Sequence, residues 1–343
     1  MSELFNPATK SPMMAFVEIA SGYWIAQALN VAAKLGVADL LIEGAKSVDE
    51  LAHKTESHTR SLYRLLRTLS SVGVFNEVEP RKFAQTPISE YLRSDNPYSL
   101  RYQTIMHCDD WHWRSWGEMY SSIKDGKPGI YHAYQDHSYY EYFQKNPEAG
   151  DIFNKAMINV CRNFHTPFIE SYDFSSATKI VDIAGGEGTL ISAILQANPH
   201  LKGILFDQPH VLSEAKKFLA KEGVGDRCET VSGDMFKSIP VGGDIYTLSY
   251  ILIDWDDDKV TTIIKNIRDA IADNGKLLVI DTVLTSANEY QWGKWLDLEL
   301  LSFGYGGART EAEFSELFEK AGFQLARHLQ IGTPVSVMEL SAI

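Results

Sequence analysis

Residues Val181 to Leu190 combine an acid with several glycines in a pattern that could bind a ligand. Asp182 lies in an apolar, strand-like segment, and Gly185, Gly186 and Gly188 lead from it into a helix-like segment. Glycine lets the backbone turn sharply and approach a ligand closely, because it has no Cβ atom. In α/β folds a glycine-rich turn between a strand and a helix binds nucleotide-like ligands. The loop therefore predicts such a ligand.

Acidic residues at the ends of the next predicted strands narrow the ligand to an adenosine. Asp207 follows the loop by about 20 residues, the spacing at which a carboxylate accepts hydrogen bonds from a ribose diol. Asp234 and Met235 offer an acceptor for the adenine amino group and an apolar contact for its ring. The loop carries Glu187 and no phosphate-loop lysine, and these acids would repel a pyrophosphate. The segment therefore favours a cationic adenosine ligand, as a sulfonium cofactor is.

The order of these segments resembles that of a known enzyme family, the small-molecule O-methyltransferases that use S-adenosylmethionine. The family is typified by plant caffeic acid and hydroxyindole methyltransferases and by bacterial tailoring enzymes. The resemblance covers nearly the whole chain and rests on the segments 182–188, 207–211, 233–236, 253–255 and 306–310. It implies S-adenosylmethionine as cofactor, S-adenosylhomocysteine as product, and a small aromatic or polyketide-like natural product as the methyl acceptor.

The resemblance also assigns site residues. Those implied for the cofactor are Asp182, Gly185, Gly186, Gly188, Asp207, Gln208, Asp234, Met235 and Ser249. For the acceptor the resemblance implies Met157, and the further candidates are Trp113, Phe153 and Tyr250. Ala184 stands where a glycine is commoner, and we expect its methyl group to be tolerated if the backbone φ is not positive. We expect no metal site, because Asp256 to Asp258 is interpreted as a solvated turn that opens a helix.

The chain departs from the family at the catalytic base. The histidine that deprotonates the acceptor in plant relatives corresponds to Ile253, which cannot take a proton. The acids that flank that histidine correspond to Asp281 and to Ala308, and only the first is acidic. The remaining candidates for a base are His107, His112, Asp254 and Asp281.

Three explanations of the missing histidine stay open. Methyl transfer could rest on proximity and desolvation, since the sulfonium is intrinsically reactive. The acceptor atom could be carbon or nitrogen. The protein could also bind the cofactor and catalyse a non-methylating reaction, such as a rearrangement or a hydroxylation, with the sulfonium as a fixed positive charge. Methyl transfer ranks first by analogy with the family.

Composition excludes several other classes of protein. The chain has 343 residues, 45% of them hydrophobic and 22% charged, as in a globular protein with room for two domains. Its net charge of −13 disfavours nucleic acid or an anionic membrane as partner. The three scattered cysteines are interpreted as reduced thiols of a cytoplasmic protein, and no apolar run is long enough to span a membrane.

The elements that position these residues fall into two predicted domains, residues 1–173 and 174–343. In the first, an apolar helical run from Ala15 to Leu35 precedes a capping box at Ser47, an apolar helix face and a possible wing between Phe75 and Thr86. This is the pattern of a winged helix, and the resemblance makes it a homodimerisation and lid domain. A winged-helix regulator that responds to the cofactor is the alternative outside catalysis, which the acidic charge disfavours.

The second predicted domain alternates strands with helices, which indicates a mostly parallel, doubly wound α/β sheet. The predicted strands are Lys179–Ile183, Gly203–Phe206, Cys228–Val231, Asp244–Ser249, Lys276–Asp281, Gln324–His328 and Val335–Leu340. The last two form a hairpin. We therefore expect a Rossmann-like class I methyltransferase domain with a seven-stranded sheet, preceded by a mainly helical winged-helix dimerisation domain.

Overall fold

The computed structural model describes residues 11–285 and 288–343. Its contacts divide the chain into two compact units. One contains the chain up to Trp113 together with Phe143–Val160, and the other contains Arg114–Tyr142 together with Cys161–Ile343. The units are thus interleaved along the sequence, and the single boundary between residues 173 and 174 stays a prediction.

The N-terminal half is mainly helical. Its helices are α1 (Pro12–Ala20), α2 (Tyr23–Leu35), α3 (Val37–Leu40), α4 (Val48–Lys54), α5 (Thr59–Ser71), α6 (Arg101–His107), α7 (Asp110–Gly117), α8 (Met119–Asp125), α9 (Gly129–Tyr134), α10 (Tyr139–Lys145) and α11 (Pro147–Ser171). Its strands are β1 (Lys46–Ser47), β2 (Asn76–Glu79) and β3 (Lys82–Ala84), which pair antiparallel in the order β1-β3-β2.

Local sequence signals account for the winged-helix part of this half. The Ser47 hydroxyl accepts a hydrogen bond from the Glu50 amide at 3.2 Å, and the Glu50 carboxylate accepts one from the Ser47 amide at 2.8 Å. This reciprocal pair satisfies free amides at the start of α4. Leu62, Leu66 and Leu69 form the buried face of α5. The capping box, the helix face and the wing of β2 and β3 are confirmed.

The apolar run from Ala15 to Leu35 is interrupted in the structure. Helix α1 ends at Ala20 and α2 begins at Tyr23, and the Ser21 hydroxyl between them donates to the Val17 carbonyl at 2.7 Å. A serine that caps the preceding turn competes with continued helical hydrogen bonding. The apolar side chains between Phe16 and Trp24 are largely exposed in the single chain, as Phe16 (72%) and Trp24 (63%) illustrate, whereas Ala32 and Ala33 are buried.

The C-terminal half contains the alternating elements. Its strands are β4 (Lys179–Ile183), β5 (Lys202–Asp207), β6 (Cys228–Ser232), β7 (Ile245–Ser249), β8 (Lys276–Asp281), β9 (Val283–Leu284), β10 (Arg309–Thr310), β11 (Phe323–Gln330) and β12 (Ser336–Ala342). Its helices are α12 (Thr189–Ala197), α13 (Pro209–Lys221), α14 (Asp257–Ala270), α15 (Trp292–Phe303) and α16 (Glu311–Lys320).

Seven of these strands form one sheet in the order β11-β12-β8-β7-β4-β5-β6. Strand β12 pairs antiparallel with β8 and β11, whereas the other pairs are parallel. The seven-stranded, mostly parallel sheet with its C-terminal hairpin is confirmed. Strand order reverses between β4 and its neighbours β5 and β7, and ligands bind outside the carboxyl ends of strands at such a point. We call this side of the sheet the carboxyl edge.

Both faces of the sheet are covered by apolar side chains. Alternate residues of β8 belong to different clusters, because successive side chains of a strand point to opposite faces. Leu277 and Val279 pack with α14 and α16, while Leu278 and Ile280 pack with α12 and α13. Within residues 11–285 and 288–343, no helix combines the length and the apolar composition that crossing a bilayer requires.

Candidate active site

The loop of residues 184–188 follows β4 at the carboxyl edge and joins it to α12. A Cβ atom at Gly185 would lie 2.4 Å from the Asp182 carboxylate and 2.5 Å from a Leu205 methyl group, so only glycine fits. Gly186 and Gly188 have φ values of 61° and 89°, in the left-handed region that favours glycine. The predicted glycines therefore shape the loop, and their contact with a cofactor stays a prediction.

Ala184 corrects one expectation. Its φ is 53°, so the condition under which its methyl group was expected to be tolerated is not met. Its amide donates to the Phe206 carbonyl at 2.7 Å, which ties the start of the loop to β5. A left-handed backbone costs an L-residue with a Cβ atom roughly 1–2 kcal/mol. The surrounding sheet therefore holds Ala184 in a strained conformation.

Asp182 is buried beneath this loop, with 1% of its surface exposed. One carboxylate oxygen accepts a hydrogen bond from the Thr247 hydroxyl at 2.7 Å. The other oxygen is buried and has no hydrogen-bond partner among the described residues. Burial raises the pKa of Asp182 to about 7, a net value to which the Thr247 hydrogen bond contributes a lowering and the Asp207 carboxylate a rise. Asp182 thus braces β4 against β7, and its contact with a cofactor stays a prediction.

Asp207 ends β5 and holds the loop from its other side. Its carboxylate accepts hydrogen bonds from the amides of Gly186 at 2.9 Å and Gln208 at 2.6 Å. Burial raises the pKa of Asp207, and these two hydrogen bonds oppose that rise. The structure therefore brings three predicted cofactor residues together, with Gln208 contributing its backbone amide.

Asp234 and Met235 follow β6, the strand beside β5. The Asp234 carboxylate accepts from the Phe236 amide at 3.0 Å and lies 3.3 Å from the Lys237 ammonium. Asn266 donates to the Met235 carbonyl at 2.8 Å. These contacts fix the turn in which both residues lie, with Met235 half-buried against the core.

Ser249 ends β7 and pairs with a histidine from α11. Its hydroxyl lies 2.7 Å from His165 Nε2. His165 is buried, and burial lowers its pKa to about 4, so the ring is neutral at ordinary pH. The sequence offered no signal for this pair, because the residues are 84 positions apart. A neutral imidazole orients the serine hydroxyl at the carboxyl edge.

Ile253 lies in the turn after β7, and its correspondence with the family histidine stays a prediction. Ile253 is buried, and its amide donates to the Asp281 carboxylate at 3.2 Å. Burial is the main cause that raises the pKa of Asp281 to about 7, a net value that includes a rise from Asp254. A Cβ atom at Gly306 would lie 2.1 Å from the Ile253 carbonyl, so residue 306 must be glycine for the two segments to meet.

Arg309 holds the same turn from the outside. Its guanidinium donates to the carbonyls of Leu252 at 3.0 Å and Trp255 at 2.8 Å, and it pairs with Asp257 at 2.8 Å. Asp256 caps α14 by accepting from the Lys259 amide at 2.9 Å. Arg309 thus has a structural role, and Asp256 opens a helix as the sequence predicted.

Asp254 accepts hydrogen bonds from two tyrosines far from it in the sequence. One carboxylate oxygen accepts hydrogen bonds from the hydroxyls of Tyr139 at 3.0 Å and Tyr140 at 3.1 Å. Burial raises the pKa of Asp254 to about 6, and the two hydrogen bonds oppose that rise. Asp254 is therefore mostly ionised at neutral pH and fixes the start of α10.

The other predicted residues fall in two places. Tyr250 directly follows β7 at the carboxyl edge. The remainder belong to the first compact unit, and their roles stay predictions: Trp113, Met157, Phe153, His107 and His112.

The chemistry of the donor set fits a cationic adenosine cofactor. Carboxylates from β4, β5, β8 and the turn after β7 lie along the carboxyl edge, and burial raises the pKa of each. Asp182 adds a buried oxygen without a partner among the described residues. A sulfonium and an ammonium group would satisfy such a site, whereas a pyrophosphate would be repelled.

Comparison with known proteins shows which family the chain is similar to. Residues 116–324 match the model of the O-methyltransferase domain, and residues 17–95 match that of the O-methyltransferase dimerisation domain. The chain is 42% identical to phenazine O-methyltransferase PhzM of Lysobacter antibioticus, over 98% of this chain and 99% of that protein. It is 37% identical to mitomycin biosynthesis 6-O-methyltransferase of Streptomyces lavendulae, over 98% and 97% of the two chains.

A solved structure of a methyltransferase is also similar to this chain. CalO1, a methyltransferase in calicheamicin biosynthesis in its SAH-bound form, superposes with a TM-score of 0.88 at 29% identity and covers 100% of both chains.

The strain at Ala184 predicts a stabilising substitution. Ala184→Gly should raise the free energy of unfolding by up to about 1 kcal/mol, because the relief of left-handed strain exceeds the added entropy of the unfolded chain. Gly186→Ala is the matched control: φ is 61° there and nothing lies within 4 Å of an added Cβ, so it should destabilise by a similar amount. Urea unfolding measures both, and a clear loss of stability in Ala184→Gly would contradict the account.

The buried Asp182 predicts how stability depends on pH. Its pKa is about 7 in the folded protein and near 4 in the unfolded chain, so the folded state binds the proton more tightly. The resulting stabilisation is complete below the unfolded pKa and is lost as pH rises through 7.

Between pH 6 and 8 the free energy of unfolding without ligand should fall by about 1 kcal/mol through this group. Asp182→Asn should remove that part of the slope, while Asp269→Asn, at an exposed position of α14, should leave it unchanged. Chemical denaturation at pH 6, 7 and 8 tests this, and identical slopes in wild type and Asp182→Asn would contradict it.

Proposed function

Because this chain belongs to the O-methyltransferase family, we propose that it transfers the methyl group of S-adenosylmethionine to a phenolic hydroxyl of a small aromatic natural product. Membership in the family makes S-adenosylmethionine its cofactor and S-adenosylhomocysteine its product. The relatives that act on phenazine and mitomycin scaffolds support a flat, hydroxylated acceptor. They do not favour a rearrangement or a hydroxylation.

The observation that carries the proposal is the row of carboxylates beside the glycine loop. In this proposal Asp207 accepts from the ribose hydroxyls, and Asp234 and Met235 hold the adenine. The unpartnered oxygen of Asp182 faces the ammonium group of the cofactor. The sulfonium then lies at the carboxyl edge near the turn that contains Ile253.

We further propose that the reaction proceeds without a general base. Ile253, which the resemblance aligns with the family histidine, is a buried isoleucine whose amide donates a hydrogen bond to Asp281. Alignment of donor and acceptor can supply roughly 7–11 kcal/mol of the barrier, and a phenol that ionises readily needs no side chain to remove its proton. The acceptor oxygen attacks the methyl carbon, the carbon–sulfur bond breaks, and the sulfonium becomes a neutral thioether. The phenolic proton leaves to solvent before the attack.

The dimerisation domain indicates a homodimer, and we propose that α1 and α2 form its centre. Several large apolar side chains of these helices are exposed in the single chain: Met13, Phe16, Ile19, Tyr23 and Trp24. Contiguous exposed apolar surface of this kind marks a protein interface.

The methyltransferase assignment predicts a defined product pair. Incubation with S-adenosylmethionine and a panel of hydroxylated phenazines, quinones and naphthols should give S-adenosylhomocysteine and one methyl ether in equal amounts, detected by mass spectrometry. Asp207→Ala should weaken S-adenosylmethionine binding roughly ten- to hundredfold in calorimetry, because it removes hydrogen bonds between a charged group and the ribose. Unchanged binding in that variant would contradict the cofactor site. Product without a new methyl group would contradict the reaction.

The interface assignment predicts the effect of charge on assembly. Wild type should scatter light as a dimer of the 38.5 kDa chain at micromolar concentration. Phe16→Asp combined with Trp24→Asp should give a monomer, because burying two carboxylates in an apolar interface is costly. Val241→Asp is the control, since Val241 is 69% exposed in the second unit. A dimer in the double variant would exclude α1 and α2 as the centre of the interface.

A further inference from the structure

Tyr250 has a backbone conformation that is rare for an aromatic residue. It directly follows β7 and has a φ of 54°, in the left-handed region. Its amide donates to the Ile280 carbonyl at 3.0 Å, so the sheet fixes this geometry. Bulky residues with positive φ are outliers, and strained residues of this kind cluster at functional sites. The strain places the Tyr250 side chain at the carboxyl edge, one residue after Ser249.

The Tyr250 hydroxyl has no hydrogen-bond partner among the described residues, although it is buried. The Asp281 carboxylate accepts from the amides of Ile253 and Thr282, and His165 Nε2 lies within hydrogen-bonding distance of Ser249. His165 Nδ1 is also buried and, like the Tyr250 hydroxyl, has no hydrogen-bond partner among the described residues. A buried donor left unsatisfied costs about 1–3 kcal/mol. A bound ligand that offers an acceptor atom would remove this penalty.

The surroundings of Tyr250 define the chemistry of that acceptor atom. Tyr250, like Phe164 and Ile169, packs against an apolar cluster, which suits a flat aromatic ligand. Burial raises the pKa of Tyr250, and Cys161 and Asp281 raise it further, so the hydroxyl remains a donor. Where Asp281 is ionised, its charge would repel a carboxylate of a ligand. A neutral carbonyl oxygen or ring nitrogen fits both conditions.

We propose that the Tyr250 hydroxyl donates a hydrogen bond to a neutral oxygen or nitrogen atom of the acceptor, beside the hydroxyl group that is methylated. Tyr250 then selects hydroxyquinones and hydroxylated nitrogen heteroaromatics over simple phenols and over phenols with a neighbouring carboxylate. This inference rests on the proposed function, since it assigns a specificity residue to the same site. It gives Tyr250 no part in proton transfer.

Two probes of the same size isolate this hydrogen bond. 8-Hydroxyquinoline and 1-naphthol carry the same hydroxyl on the same bicyclic frame, and only the first has a ring nitrogen beside it. Calorimetry on the protein saturated with S-adenosylhomocysteine, in the presence of EDTA, measures binding without turnover. Wild type should bind 8-hydroxyquinoline up to about tenfold more tightly than 1-naphthol, and Tyr250→Phe should bind the two equally. Its affinity for S-adenosylhomocysteine should not change.

Tyr246→Phe provides the matched control. Tyr246 is also buried, but its hydroxyl donates to the Pro240 carbonyl at 2.8 Å. Tyr246→Phe should therefore unfold at a lower urea concentration and retain the preference for 8-hydroxyquinoline. Tyr250→Phe should show the reverse pattern, unfolding at the wild-type concentration or above.

Three results would overturn the inference. The preference could persist in Tyr250→Phe, wild type could bind neither probe, or Tyr250→Phe could lose affinity for S-adenosylhomocysteine, which would make Tyr250 a cofactor residue. A preference that depends on Tyr250, together with no methyl ether from any acceptor, would support the inference and contradict the proposed function instead.

Discussion

The burial of carboxylates at the carboxyl edge is the constraint on which the rest of the site depends. Burial is the main cause that raises the pKa of Asp182, Asp207, Asp254 and Asp281. The Asp207 charge adds to the rise at Asp182, and the Asp254 charge adds to the rise at Asp281. Asp207 accepts hydrogen bonds from backbone amides, whereas one oxygen of Asp182 has no partner among the described residues. In the proposed complex the ammonium group of the cofactor supplies the positive charge that this oxygen lacks.

In the proposed reaction the cofactor loses its sulfonium charge with the methyl group and becomes a neutral thioether. The ammonium group assigned to Asp182 and the ribose assigned to Asp207 are the same before and after the transfer. A buried isoleucine at the position of the family histidine is compatible with this chemistry, because positioning and charge complementarity act on the donor. Asp254, tied to Tyr139 and Tyr140, is then an anchor for α10.

Local sequence signals predicted much of the fold and the cofactor side of the site. The capping box at Ser47 and the apolar face of α5 are determined by residues close together in the sequence. From β4 onward, apolar strand segments alternate regularly with helical segments. The pair of His165 and Ser249 and the bonds from Tyr139 to Asp254 join residues 84 and 115 positions apart, so no local pattern encodes them. The positive φ values of Ala184 and Tyr250 could not be predicted from the sequence either, because the sheet imposes them against the preference of each residue.

In the proposed reaction the acceptor loses its proton by its own acidity and not to a side chain. The pH dependence of kcat/KM tests this for a series of phenols that share one skeleton and differ in pKa through remote substituents. If the protein supplies no base, the pH of half-maximal kcat/KM should move with the pKa of each phenol, and acidic phenols should react fastest at neutral pH. A profile governed by one fixed pKa, the same for every phenol, would reveal a general base in the protein and contradict the account.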